Sequence, residues 1–479
     1  MTRTDGPTGG RADRTGTPPP SRRGLLRLLG AGALGAAGCT LARPGESRSL
    51  PPAGTGRGAP TDDVRPADWL AGWAQFRDRF ITPAGRVVDV SNKHVSHSEG
   101  QGYAMLFAVA ANDRDTFDRV WGWTRATLQS RPDDALLSWR WMPDDPDAAG
   151  DMGRVDDPNN ATDGDLLVAW ALTRASQRWS EPSYRSDAVT LAGDILRLTV
   201  LERDGVLMML PGVDGFRRDG AVILNPSYYV FPAIDALGML TGDAIWQRLS
   251  ANGADLIQEA RFGRWNLPPD WLLVRYQEAD PPAETETETA EDAGTDDAAG
   301  PAEANAEGAE PDATAGPEPD ADPGATADAP AEDTADGPPE TDTEANTEAD
   351  AETGAEAGEP LPRLDLPEGF EPAFGFNAIR IPLNLIWGGR QTPERLEPFI
   401  TFWGHFDGAR FTPSWTDLTK DTVTVYESNP GFQAVFVLTS AAWDDWTLGT
   451  VTLPDLGDDA DYYASALWLQ VGLAREGWV

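Results

Sequence analysis

The chain has 479 residues and a formal net charge of −40, a length that fits one large domain or two medium ones with non-globular additions. The charge is unevenly placed: Glu278 through Glu359 holds 28 acidic residues and no Lys or Arg, so one segment carries 28 of the 40 net negative charges. This balance argues against a basic nucleic-acid face, and a single cysteine, Cys39, excludes a disulfide framework.

At the N-terminus, "SRRGLLRLLGAGALGAAGCTLARP" pairs Arg22 and Arg23 ahead of an apolar run too short to span a membrane comfortably. It resembles a twin-arginine export signal. The run ends in Ala36-Ala37-Gly38-Cys39, similar to a lipoprotein cleavage box in which the cysteine is lipidated. Residues 1–39 are therefore expected to be an export signal for a periplasmic or otherwise extracytoplasmic protein. Cys39 is either a lipid anchor to the membrane or incidental, and residues 40–65 form a flexible linker.

Helical spacing then dominates. "ADWLAGWAQFRDRFI" places Trp69, Leu70, Trp73, Phe76 and Phe80 on one face, and "GYAMLFAVAAN" leads into "DRDTFDRVWGWTRATLQ", with Asp113 placed to cap the second helix. "TDGDLLVAWALTRASQRW" pairs with "SYRSDAVTLAGDILRLTV" across Ser180-Glu181-Pro182, and "SYYVFPAIDALGMLTG" pairs with "DAIWQRLSANGADLIQEA". The segment 278–362 has no aromatic residue and is mostly Ala, Gly, Pro, Thr, Asp and Glu. Such a composition buries too little apolar area to offset chain entropy, so a disordered insert is expected. Beyond it "NAIRIPLNLIWGG", "TPERLEPFITFWGHF", "NPGFQAVFVLTSAAW" and "DADYYASALWLQVGLAREG" complete about eleven helices in consecutive pairs. Extended stretches such as "DGVLMMLPG" and "DTVTVYES" are brief. Paired helices predict an all-α solenoid or closed ring of hairpins, with 66–277 and 363–479 forming one domain around the insert.

Three stretches put polar residues where apolar ones would pack better. They are His94 to Gly102 ("HVSHSEGQG"), Asp156 to Asp165 ("DDPNNATDGD"), read as opening a helix, and Gly375 to Asn384 ("GFNAIRIPLN"). Each acid alone reads as a helix cap. A metal site at His94, His97 and Glu99 is disfavoured by the spacing of the two histidines and by His405 being the only other one. No metal or cofactor is expected.

Taken together, the stretches resemble glycoside hydrolase family 8, inverting endoglucanases that include cellulases of bacterial cellulose-synthesis operons. The resemblance rests on Ser98-Glu99-Gly100-Gln101-Gly102-Tyr103-Ala104-Met105 and on Ala161-Thr162-Asp163-Gly164-Asp165 with Ala169, Ala171, Leu172, Ala175 and Trp179. Trp139 to Trp141, Leu210 to Phe216 and Asn225 to Tyr229 also match, and the likeness spans roughly Trp69 to Gly477 outside the insert. It implies an (α/α)6 barrel of helix hairpins, monomeric, acting on β-1,4-glucan. It implies Glu99 as general acid, Asp163 as support for the distorted sugar and Tyr228 as a holder of the attacking water. Tyr103, Trp139, Trp141 and Arg380 become candidate substrate contacts, the aromatic ones either stacking on sugars or packing in the core.

An inverting reaction pairs an acid, which must keep its proton near neutral pH, with a carboxylate base across a water. A raised Glu99 pKa is therefore expected, from burial and from nearby Asp163. Where the family places its base Asp, this chain has Asn377, which cannot accept a proton. Asp156, Asp157 and Glu427 are among the substitute bases the sequence offers; the alternatives are activation of the water through a relay and a catalytically weak or silent glucan-binding protein.

Overall fold

A computed structural model describes residues 65–145, 150–276, 362–406, 408, 411–424 and 429–479. The export signal with Cys39, the linker up to residue 64, the acidic insert up to residue 361 and Glu427 lie outside the described residues.

Eleven α-helices occur among the described residues: α1 (Ala67–Phe80), α2 (Ser98–Ala111), α3 (Arg114–Thr127), α4 (Thr162–Trp179), α5 (Pro182–Thr199), α6 (Phe231–Thr241), α7 (Ile245–Glu259), α8 (Ile381–Trp387), α9 (Pro393–His405), α10 (Pro430–Trp443) and α11 (Tyr462–Arg475). Their sequences explain two roles. α1 buries a single stripe, Trp69, Trp73, Phe76 and Phe80, and keeps charged residues on the other face. α2 and α11 are apolar or small on nearly every side and are buried almost throughout. Caps are local: Asp113 accepts from Thr116 N at 3.1 Å, and Asp461 accepts from Ala464 N at 2.6 Å.

The buried helices form the inner ring. α2 packs on α4, α4 on α6 and α6 on α8; α8 meets α10 and α11, and α11 returns to α2. α1 closes the outer layer against α11, where Trp69 Nε1 donates to Leu469 O at 2.9 Å across 400 residues of chain. The Tyr462 ring lies 5.8 Å from both Phe76 and Phe80. The architecture is an (α/α)6 barrel, the closed ring that the helix pairing allowed beside a solenoid and the fold that the family resemblance implies.

Short strands decorate the helix ends. β1 (Ser96–His97), β2 (Ser138–Pro143) and β3 (Gly153–Asn160) make one antiparallel sheet, and β4 (Val200–Arg203) pairs with β5 (Val206–Met209). β6 (Arg217–Arg218), β7 (Ala221–Leu224), β8 (Leu272–Arg275) and β9 (Arg363–Asp365) form a second sheet in that order. β10 (Ala373–Phe374), β11 (Trp415–Asp417) and β12 (Val423–Thr424) form a third. The strand β3 corrects one expectation. Residues 156–160 do not open a helix; they pair with β2, and α4 begins only at Thr162. Pro158 and two asparagines resist helix there, whereas the extended backbone has a partner strand in β2. β8 and β9 are antiparallel neighbours with Arg275 opposite Arg363, so the chain leaves and re-enters the barrel at adjacent points.

Candidate active site

Glu99 stands in the first turn of α2, and the residues around it explain the polar stretch. His97 caps the helix, its Nδ1 accepting from Gly100 N at 3.2 Å, while Nε2 faces Asp89 at 3.5 Å. Gln101 is fully buried. Its Oε1 accepts from Val87 N at 2.6 Å and its Nε2 donates to Thr124 Oγ1 at 2.7 Å, pinning the start of α2 to α3. The flanking glycines permit close approach: a Cβ at Gly102 would come within 2.6 Å of Leu167, and one at Gly164 would collide with Ser98 Oγ. α2 and α4 therefore meet backbone to backbone at their N-termini, which sets Glu99 beside Asp163.

Asp163 is buried, accepts from Gly164 N at 2.8 Å, and faces Arg380 Nη1 at 3.4 Å. Burial, then the charge of Asp165, pushes its carboxyl up to about 7, against the lowering effect of the Gly164 bond. Asp165, also buried and also near 7, accepts from Leu137 N and Asn160 Nδ2, both at 2.8 Å. Asn160 in turn accepts from Val213 N at 2.8 Å. Asp165 thus fastens the start of β2 and the 210–216 loop to α4.

The third stretch supplies the opposite side. Asn377 precedes a short 3-10 turn, Ala378–Arg380, that runs into α8. Arg380 is buried and joins the site together. It forms an ion pair with Glu99, donates from Nη1 to Tyr103 Oη at 3.0 Å, and donates from Nη2 to Ser227 Oγ at 3.0 Å and to Asn377 Oδ1 at 2.8 Å. Tyr103 donates to Glu99 Oε1 at 2.8 Å. Tyr228 lies with its ring 6.0 Å from the guanidinium, and burial, then the charge of Asp163, holds its hydroxyl well above the ordinary value.

Glu99, Asp163, Tyr103, Tyr228, Asn377 and Arg380 therefore converge. Two candidate sugar platforms do not stand open. Tyr103 is 3% exposed, stacked on Phe107, and serves the site through its hydroxyl; Trp141 is equally buried beneath Arg86 with its edge on Trp123. Trp139 remains half-buried, with Arg140 4.5 Å above its ring. The Arg380 guanidinium and the Tyr103 hydroxyl both contact the Glu99 carboxylate.

Sequence reasoning missed Asp270. It sits in "LPPDWLLV", just before β8, and its Oδ1 accepts from Gly375 N at 2.9 Å and Ala378 N at 2.7 Å. Burial pushes it up to about 7, with those backbone bonds pulling the other way. Its partners are 105 and 108 residues away, so no local pattern announces it. Of the expected substitute bases, Asp156 is gripped by Arg140 at 2.9 and 3.1 Å, and Asp157 turns back to accept from Asn159 N at 3.0 Å.

A model of the glycosyl hydrolases family 8 matches residues 63–298. A probable endoglucanase of Novacetimonas hansenii is 34% identical over 403 residues, covering 84% of this chain and 90% of that protein. An endoglucanase of Cellulomonas uda is 41% identical over 211 residues, 44% of this chain and 57% of its own. The solved structure of an endo-β-1,4-glucanase from Acetobacter xylinum superposes with a TM-score of 0.62 at 32% identity, covering 86% of this chain and 98% of its own. With the barrel, the three motifs and a relative aligned over nearly its whole length, this chain belongs to glycoside hydrolase family 8.

Proposed function

We propose that the protein is an exported hydrolase that cleaves internal β-1,4-glucosidic bonds of cellulose-like glucan with inversion at the anomeric carbon. The observation that carries this reading is the convergence of Glu99, Asp163 and Arg380 at the N-terminal ends of inner-ring elements. Two carboxyls around one guanidinium suit oxocarbenium chemistry. Glu99 protonates the leaving oxygen once a bound sugar draws Arg380 from it, and Asp163, closed off from water, supports the distorted ring. The likeness to proteins called endoglucanases supports the substrate class. Export to the periplasm or beyond, with Cys39 as the lipid anchor, rests on the paired arginines and the Ala-Ala-Gly-Cys box.

Reducing-end release from carboxymethylcellulose or mixed-linkage glucan tests the reading, with proton NMR of the first-formed anomer testing inversion. Glu99→Gln is expected to lower kcat by about 10²–10⁴-fold. Release no greater than that of this variant, on those substrates and on chitosan and xylan, would remove the enzyme. The second reading, a silent glucan-binding protein, is favoured by the amide at Asn377 and predicts cello-oligosaccharide binding without turnover.

A further inference from the structure

An inverting displacement needs an acceptor for the proton of the attacking water, and residue 377 is not one. Arg380 carries only donors, so the oxygen of Asn377 is the atom that meets its Nη2, and the amide NH2 group points elsewhere. That group can donate to a water and cannot take its proton. Glu99 and Asp163 both face Arg380, and Asp156 is held by Arg140.

Asp270 differs from all of these. Its Oδ1 is fixed by the backbone N–H groups of Gly375 and Ala378, which bracket Asn377 in the chain. Its Oδ2 lies against Gly375, where a Cβ would approach within 2.5 Å, so only glycine fits beside that oxygen, and Asp270 itself is half-buried. No Lys or Arg among the described residues pairs with it. Tyr463, whose hydroxyl bonds Phe376 O, reaches the same 377 turn from α11. Asp270 is linked to Glu99 through the 377 turn and the Arg380 guanidinium.

We propose that Asp270 is the general base. Its Oδ2 takes one proton from the water whose oxygen forms the new bond to the anomeric carbon. In the same step the glycosidic C–O bond breaks and Glu99 gives its proton to the departing oxygen. Asp270 ends neutral and Glu99 ionised, and exchange with solvent restores both. A carboxyl lifted to about 7 is basic enough to compete for such a proton near neutral pH. The assignment rests on the glucanase reading above.

Asp270→Asn tests it, because the amide oxygen still accepts from Gly375 and Ala378 while the proton acceptor is gone. The expected result is a kcat lower by about 10²–10⁴-fold with KM and melting temperature nearly unchanged. Added azide, a nucleophile that needs no deprotonation, is expected to restore turnover and yield an α-glucosyl azide. Asn377→Asp in the Asp270→Asn background is expected to recover activity by placing a carboxylate on the same turn. Wild-type kcat in Asp270→Asn, or a loss that neither azide nor Asn377→Asp relieves, overturns the assignment and leaves Asp270 a backbone cap. A wild-type protein that releases no reducing ends removes the glucanase reading first, and this assignment with it.

Discussion

The two walls of the cleft are built on different plans. The wall of α2 and α4 is local: Glu99 and Asp163 lie within a few residues of their own caps, and two glycines let the helix starts touch. The wall around Asn377 is assembled from afar, with Asp270 holding a turn 105 residues along the chain and Ser227 and Tyr463 arriving from other elements. A wall written locally shows itself as a motif. One assembled at a distance shows itself only once the chain is folded, and it can change its chemistry without disturbing the motif opposite.

Arg380 is where the walls meet, so its removal is the most severe way to break the comparison. In Arg380→Met two carboxylates lose their shared cation in a buried site. Breaking such a contact costs about 3–5 kcal/mol, and turnover is expected to vanish. Urea unfolding of the variant checks this; stability within about 1 kcal/mol of wild type would mean the walls stand independently.

A milder test uses pH, to which the first wall brings two raised carboxyls, Asp163 and Asp165, and the second wall one, Asp270. Asp163 and Asp165 have carboxyls raised to about 7 from an ordinary value near 4, so the folded state binds protons that the unfolded state releases. Their contribution is fully present below about pH 4 and is lost as pH rises through about 7. The melting temperature is expected to fall across that window, with a shallower slope in Asp165→Asn. An equally steep slope in that variant would assign the titration to another group.

The smallest effect is expected from the second wall's own connection. Deleting residues 277–361 and joining Tyr276 to Pro362 through a short Gly/Ser linker replaces a long excursion by a hairpin loop, because Arg275 and Arg363 are already opposite one another. Cooperative unfolding and kcat are expected to change little. A kcat lowered tenfold or more would tie the second wall to the excised segment.

Much of the barrel is legible in the sequence because inner and outer helices have different patterns: α1 shows one apolar stripe, α2 and α11 are apolar nearly all round. The Ser98–Met105 and Ala161–Asp165 motifs are legible for the same reason, since caps and glycines leave short-range signals. Strand β3 was not legible, because "RVDDPNN" has no alternation and gains its shape from pairing with β2. Tyr103 and Trp141 looked like sugar platforms because sequence gives aromatic identity and not burial. Asp270 was hidden by distance alone.

The closure of α1 on α11 also bears on how the protein comes into being. Trp69 bonds Leu469 O and Arg65 pairs with Glu476 at 2.8 Å, across 400 and 411 residues. At roughly 5–20 residues per second, about 20–80 s of synthesis separates the first partner from the second. Through that interval the apolar stripe of α1 has Phe107 of α2 against it but lacks α11, and Glu99 lacks a finished cleft. The chain is thus born inactive and adhesive, and acquires its site only when the ring shuts.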